Sequence, residues 1–271
     1  MNLHFKELGQ PHAAAPPLVM LHGLFGSSDN WLAVAPKLAQ HARVFLVDLR
    51  NHGLSPHSDD MTFALMAGDL AEFLDARQLN RARVLGHSLG GKVAMQFALT
   101  FPARVDRLIV VDIAPRAYAP EHEPVFKALL ALDLKQYHSR TQIEEALAPA
   151  IPDLTLRRFL LKNLKHRPAA PKSDEGGSFD WRIPLSSLFA SYPKLCEAIT
   201  PSNTFPGPAL FLRGGQSPYI SDADAPLIRQ LFPQAAIETL PTARHWVHAD
   251  APEGFARRIS NFLWPGLTMV T

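Results

Sequence analysis

The serine in Gly86-His87-Ser88-Leu89-Gly90 is the first residue whose type and spacing could do chemistry. A serine hydroxyl attacks an acyl carbon only when a general base takes its proton, and that base needs an acid to orient it. The pentapeptide alone is a weak signal, but its setting is not. The apolar run Arg83-Val84-Leu85 leads into it, and Gly91-Lys92-Val93-Ala94-Met95-Gln96-Phe97-Ala98 continues as a helix. A sharp strand-to-helix turn would strain Ser88 and lift its hydroxyl above a sheet, with small residues two places either side letting backbones approach. The new helix also aims its N-terminal N–H groups at the same point. Gly86 to Lys92 spells most of a phosphate-binding loop as well, yet Val93 stands where that loop needs a Ser or Thr for magnesium.

A base and an acid are to be sought downstream, in the order serine, acid, histidine. His245 follows the last apolar run, Ile237–Leu240, in a loop that can return over Ser88; His248, three residues on, is the rival with a packing or capping role. Asp112 ends the buried-type run Ile109-Val110-Val111, where an unpaired charge would be expensive, so it is the favoured acid. Asp222, the first carboxylate after the run Ala209–Leu212, stays open as the alternative. His22-Gly23-Leu24-Phe25-Gly26 follows the run Leu18–Leu21, so the backbone N–H groups of Leu24 and Leu89 are candidate oxyanion donors. His22 is expected to brace that loop. His52, His57, Asp59 and Asp60 lack a recognised ligand spacing, and no metal or other cofactor is expected.

These residues need a scaffold, and the rest of the chain supplies one. Continuous Val/Leu/Ile/Phe runs at Leu18–Leu21, Arg43–Val47, Arg83–Gly86, Leu108–Asp112, Ala209–Leu212 and Ile237–Leu240 fit parallel strands covered on both faces, with an alternating edge strand near Leu3–Leu8. Helical spacing falls between them at Trp31–Gln40, Thr62–Gln78, Leu89–Phe101, Ala223–Leu231 and Pro252–Leu263, the last capped by Asp250. That alternation predicts an α/β sheet. It breaks at residues 115–200, where Glu123–Leu134, Thr141–Leu147, Leu154–Leu164 and Leu185–Ile199 read as helices with no strand between them. We therefore expect a core of residues 1–114 and 201–271 with a helical cap of residues 115–200. Pro168–Pro171 and Glu175–Ser178 are expected to interrupt the cap as a mobile loop.

Composition excludes several function classes. The 271 residues are 47% hydrophobic and 19% charged, as in a globular chain with a sizeable core. Lys+Arg 27 against Asp+Glu 25 gives +2, too weak a bias for a nucleic-acid binder. One cysteine, Cys196, permits neither an internal disulfide nor a cysteine-built metal site. No stretch approaches the ~18 apolar residues of a membrane span. The N-terminus lacks the order of a signal peptide, so a cytoplasmic protein is expected.

With these residues assembled, the chain resembles the α/β-hydrolases, and within them the YbfF-type carboxylesterases and their mitochondrial abhydrolase-domain relatives. The resemblance is densest at residues 22–27, Asp48-Leu49-Arg50-Asn51-His52-Gly53-Leu54-Ser55-Pro56, Gly86–Lys92, residues 111–115, Gly215-Gln216-Ser217-Pro218-Tyr219 and His245–Ala249. It implies an α/β-hydrolase fold with Ser88 as nucleophile, His245 as base and Asp112 as acid. Ser217 stands where many hydrolases keep their acid, as a fourth member. The implied activity is hydrolysis of acyl esters or thioesters with an apolar acyl chain through an acyl-serine. Acyl-CoA thioesterase, perhydrolase-like activity and a non-catalytic binding protein of this fold are the alternatives.

Candidate substrate contacts are Phe25, His87, Phe179, Trp181, Tyr219 and Trp246. Phe126, Leu129, Leu130, Phe159, Leu160 and Phe189 could line an acyl pocket, although most should join cap to core. Six Lys/Arg and no acid lie between Arg157 and Lys172. They form a solvated face or receive an anionic head group, with Arg157, Arg158 and Lys162 as the residues to neutralise.

Overall fold

Seven strands of the computed structural model form one sheet in the order β1-β3-β2-β4-β5-β8-β9. The structure describes residues 1–10, 15–167, 178–201 and 203–266. In chain order the strands are β1 (Phe5–Leu8), β2 (Leu18–Leu21), β3 (Val44–Val47), β4 (Ala82–His87), β5 (Val105–Val111), β6 (Leu164–Arg167), β7 (Ser178–Trp181), β8 (Ala209–Gly214) and β9 (Ala235–Leu240). Only β1 is antiparallel within this sheet, with Phe5 opposite Val47. β2 and β3 are buried along their whole length, as continuous apolar runs require.

Helices cover both faces. α1 (Ala35–Leu38) and α10 (Pro252–Leu263) pack on one, through Leu38, Phe255 and Ile259 against Leu18, Met20 and Leu210. α2 (Phe63–Asp75), α3 (Leu89–Thr100) and α8 (Ala225–Leu231) pack on the other, against Val19, Val84 and Phe211. Thr62 caps α2, its Oγ1 accepting the Leu65 N–H at 3.2 Å. The expected cap of α10 is not found: Ala251 occupies that position, and Asp250 instead accepts the backbone N–H of Arg244 at 2.8 Å. The run Trp31–Gln40 is also shorter than its spacing suggests. Ser28–Trp31 is a 3-10 turn, and Pro36 sits in the first turn of the short α1.

Between β5 and β8 the chain makes α4 (Glu123–Leu130), α5 (Arg140–Leu147), α6 (Leu154–Leu160) and α7 (Leu185–Cys196). The expectation of helices alone is overturned here by an antiparallel hairpin, in which β6 pairs with β7, Leu164 opposite Trp181. Only Leu164 of β6 is buried, so neither periodicity was available to reveal it. Of the loop expected at Pro168–Pro171 and Glu175–Ser178, all but Ser178, which opens β7, lies outside the described residues. Phe126 joins this insert to the core, its ring 4.8 Å from Phe25 and 5.4 Å from Phe189. The two junctions pair with each other: Tyr118 N–H donates to Cys196 O at 2.8 Å and Ile199 N–H to Pro115 O at 3.0 Å. α9 (Val247–Asp250) is a single turn after the His245 loop.

Candidate active site

Ser88 sits between β4 and α3 at φ 52° and ψ −118°, a strained conformation for a residue with a side chain. The glycines on either side are obligatory. A Cβ on Gly86 would lie 2.0 Å from Gly90 O, and one on Gly90 would lie 2.5 Å from the carbonyls of Leu21 and His22. The turn is tied to the sheet by Ser88 N–H, which donates to Val111 O at 3.0 Å. The same strand end carries the favoured acid, for Asp112 follows β5 directly, also at φ 52°.

Asp112 is fully buried, and donors satisfy both of its oxygens. Gly214 N–H donates to Oδ1 at 2.9 Å, while Ser217 Oγ and His245 Nδ1, the latter at 2.8 Å, both meet Oδ2. Such a set offsets the cost of burying the charge. A carboxylate only accepts, so Nδ1 of His245 donates to it, and His245 lines the same hollow as Ser88. The alternatives are placed elsewhere. Asp222 lies in solvent and pairs with Arg213 at 2.8 Å. His248 packs its ring 4.6 Å from that of Trp31, and burial lowers its pKa to about 4.

The loop after β2 is braced from three sides. His22 Nδ1 donates to Gly23 O at 2.8 Å while its Nε2 accepts Leu49 N–H at 3.0 Å, so both ring nitrogens are occupied, and burial holds the ring neutral. Phe25, at φ 61°, donates its N–H to His52 Nε2 at 3.2 Å and accepts at its carbonyl from Asn163 Nδ2 at 2.8 Å. Burial pushes the His52 pKa down to about 3, which keeps Nε2 an acceptor. Asp48 takes the N–H groups of Ser28 (2.6 Å) and Leu54 (2.9 Å) beneath it. Leu24 therefore has a fixed peptide plane, and Leu89, first in α3, has no intrahelical partner for its N–H.

Two hollows meet at Ser88. One is lined by Leu24, Phe25, Leu156, Phe159, His245 and Trp246, the other by Leu89, Lys92, Tyr118, Tyr192, Cys196 and Tyr219. Leu24 and His122 reach both. Phe25, His87 and Trp246 line the first hollow and Tyr219 the second. His87 is buried and donates its Nε2–H to His245 O at 2.8 Å, which makes it a brace for that loop, and burial drops its pKa well below the ordinary value. Tyr219 stacks on His245 with ring centroids 4.1 Å apart. Phe179 and Trp181 sit on the β6–β7 hairpin, Phe179 5.2 Å from His166, and neither is among the residues lining these two hollows. Of the suggested acyl-pocket residues only Phe159 lines one; Phe126, Leu129 and Leu160 are core.

Lys92 closes the Gly86–Lys92 stretch, and nothing in that motif assigns it a role. It is buried on α3, where its ammonium donates to Arg116 O and, at 2.7 Å, to Glu197 O, one carbonyl from each junction of the insert. Burial brings its pKa down to about 8. A lysine in a helix whose other faces are apolar was the available signal. Tyr118 extends the same junction, accepting Ala114 N–H at 2.7 Å and donating to Tyr219 O. Of the basic segment, Arg157 is spent on the carbonyls of Ile151 (2.6 Å) and Pro152 (2.9 Å), whereas Lys162 and Arg158, the latter paired with Glu144 at 3.2 Å, line an open cleft beside Phe159.

A parallel sheet, a strained serine at a strand-to-helix turn and a histidine held by a buried aspartate define a hydrolase of the α/β class, and the sequence matches the alpha/beta hydrolase fold family over residues 16–252. The chain belongs to that family, as an enzyme of esterase type. It is 39% identical to sn-1-specific diacylglycerol lipase ABHD11 of Xenopus tropicalis, over 95% of this chain and 81% of that protein. It is 35% identical to esterase YbfF of Escherichia coli (strain K12), over 97% and 98%. Among solved structures, a marine microorganism esterase superposes with a TM-score of 0.89 at 40% identity, covering 97% of this chain and 99% of that one. Among the described residues no helix is long and apolar enough to cross a membrane.

Proposed function

We propose that the protein is a cytoplasmic serine carboxylic-ester hydrolase working through an acyl-serine intermediate. His245 Nε2 takes the Ser88 proton as Oγ attacks the carbonyl carbon, and Asp112 stabilises the imidazolium that forms. The N–H groups of Leu24 and Leu89 receive the tetrahedral oxyanion. His245 returns the proton to the leaving oxygen, then activates water to free Ser88. Ser217 acts as a fourth member by holding Asp112 Oδ2, and residues 115–200 act as a cap over the site. The observation that carries this reading is the His245–Asp112 pair, which commits Nδ1 to the carboxylate at the hollow that Ser88 and His245 both line.

The test is hydrolysis of p-nitrophenyl esters from acetate to palmitate by the wild type and Ser88→Ala side by side. Loss of several orders of magnitude in kcat is expected. Wild-type turnover by Ser88→Ala would refute the assignment.

A further inference from the structure

Resting on this acyl-serine reading, we infer that the two hollows at Ser88 divide the ester between them. A short acyl group enters the hollow beside Lys92 and Cys196, and a long leaving group runs past His245 and Trp246 into the cleft beyond. The division follows from proton delivery. The leaving oxygen must receive its proton from His245 Nε2, because Nδ1 is committed to Asp112. His245 lines the hollow with Phe159 and Trp246 and not the other. On the opposite side, the ring of Tyr219 screens His245 from the Lys92 hollow by stacking on it. That side is also lined by Leu89, one of the two proposed oxyanion donors.

Size separates the two further. Each hollow holds about 60 Å³. The His245 hollow, however, shares Asn30, Phe159, Trp246 and His248 with a cleft of about 480 Å³. The Lys92 hollow shares no lining residue with that cleft, and the paired junctions of the insert back it. The substrates are therefore esters of small acids with extended alcohols or thiols, rather than esters with a long apolar acyl chain.

The experiment crosses acyl size with leaving-group size. Acetates, butyrates and octanoates of p-nitrophenol and of 4-methylumbelliferone are compared in the wild type, Ala119→Phe and Leu156→Trp, with Ser88→Ala as control. Ala119 lines the acyl hollow and Leu156 the other; neither is a buried core position. The wild type should favour acetate and butyrate over octanoate by at least about tenfold in kcat/KM, since one methylene is worth roughly that much in a pocket. Ala119→Phe should lower the butyrate-to-acetate ratio about tenfold and leave the ratio between the two alcohols unchanged, whereas Leu156→Trp should do the reverse. Crossed effects, no change in either ratio, or octanoate turned over as well as acetate would overturn the division. Undiminished turnover by Ser88→Ala would overturn the acyl-serine reading instead.

Discussion

Replacing Lys92 by Met should remove a contribution to stability that grows between pH 8 and 10. The amine titrates near 8 in the fold, against an ordinary value of 10.5. Over that interval the amine holds more proton in the unfolded chain than in the native one, so the Lys92 contribution to stability rises with pH. A single group with those two values contributes on the order of 2–3 kcal/mol by pH 10. The sign is opposite for Cys196, whose thiol is pushed up by burial, and for Tyr118, Tyr192 and Tyr219, which lose stability as the unfolded chain ionises near 10. The tyrosine contributions are common to both proteins and cancel in the difference, while loss of the Lys92 charge lets the Cys196 thiol rise further and adds to the difference in the same direction. Urea unfolding of wild type and Lys92→Met at half-unit steps from pH 7 to 10 measures that difference directly. Met also leaves the carbonyls of Arg116 and Glu197 without their donor, at about 1–3 kcal/mol each, but that loss does not vary with pH. Parallel curves for the two proteins would refute the placement of a titrating amine at the junctions.

Three other outcomes follow from the site. Asp112→Asn should lower kcat about 10⁴-fold while Asp222→Asn stays at the wild-type rate, and steady-state assays with p-nitrophenyl butyrate would reverse the assignment if the two effects exchanged. Ser217→Ala removes one of three donors to Asp112 and should cost about ten- to a hundredfold in kcat with KM little changed; an effect confined to KM would place Ser217 on the substrate instead. Arg158→Ala combined with Lys162→Ala should raise KM for an acyl-CoA and spare a neutral ester, and equal effects on both would exclude an anionic head group from the cleft.

Much of this was legible because burial writes itself into composition. The apolar run ending at Asp112 could only be a covered strand, and a carboxylate there had to have partners. The strand-to-helix setting of Ser88 was equally visible, and the geometry of Gly86 and Gly90 explains why those positions hold glycine. What stayed hidden depends on contacts between distant segments. His122 and Tyr192, 70 residues apart, meet at 3.0 Å only because α4 and α7 pack together. The β6–β7 hairpin has exposed Lys165, His166 and Arg167, so its pairing left no mark on hydropathy. Asp250 read as a helix cap, whereas the backbone of Arg244, next to His245, claimed its carboxylate.

The insert leaves and rejoins the sheet at β5 and β8, which are neighbours, and its junctions are zipped together by Tyr118–Cys196 and Ile199–Pro115. Its ends are thus fixed to each other before any residue between them is chosen. Loop length then carries only a slowly growing entropic cost. Evolution can lengthen, shorten or exchange this segment without disturbing Asp112 or Ser217, which sit on the sheet side of the zip. Divergence among relatives with a common chemistry should accordingly concentrate in residues 119–195, and transplanting that segment between homologues should transfer ester preference while the turnover machinery stays behind.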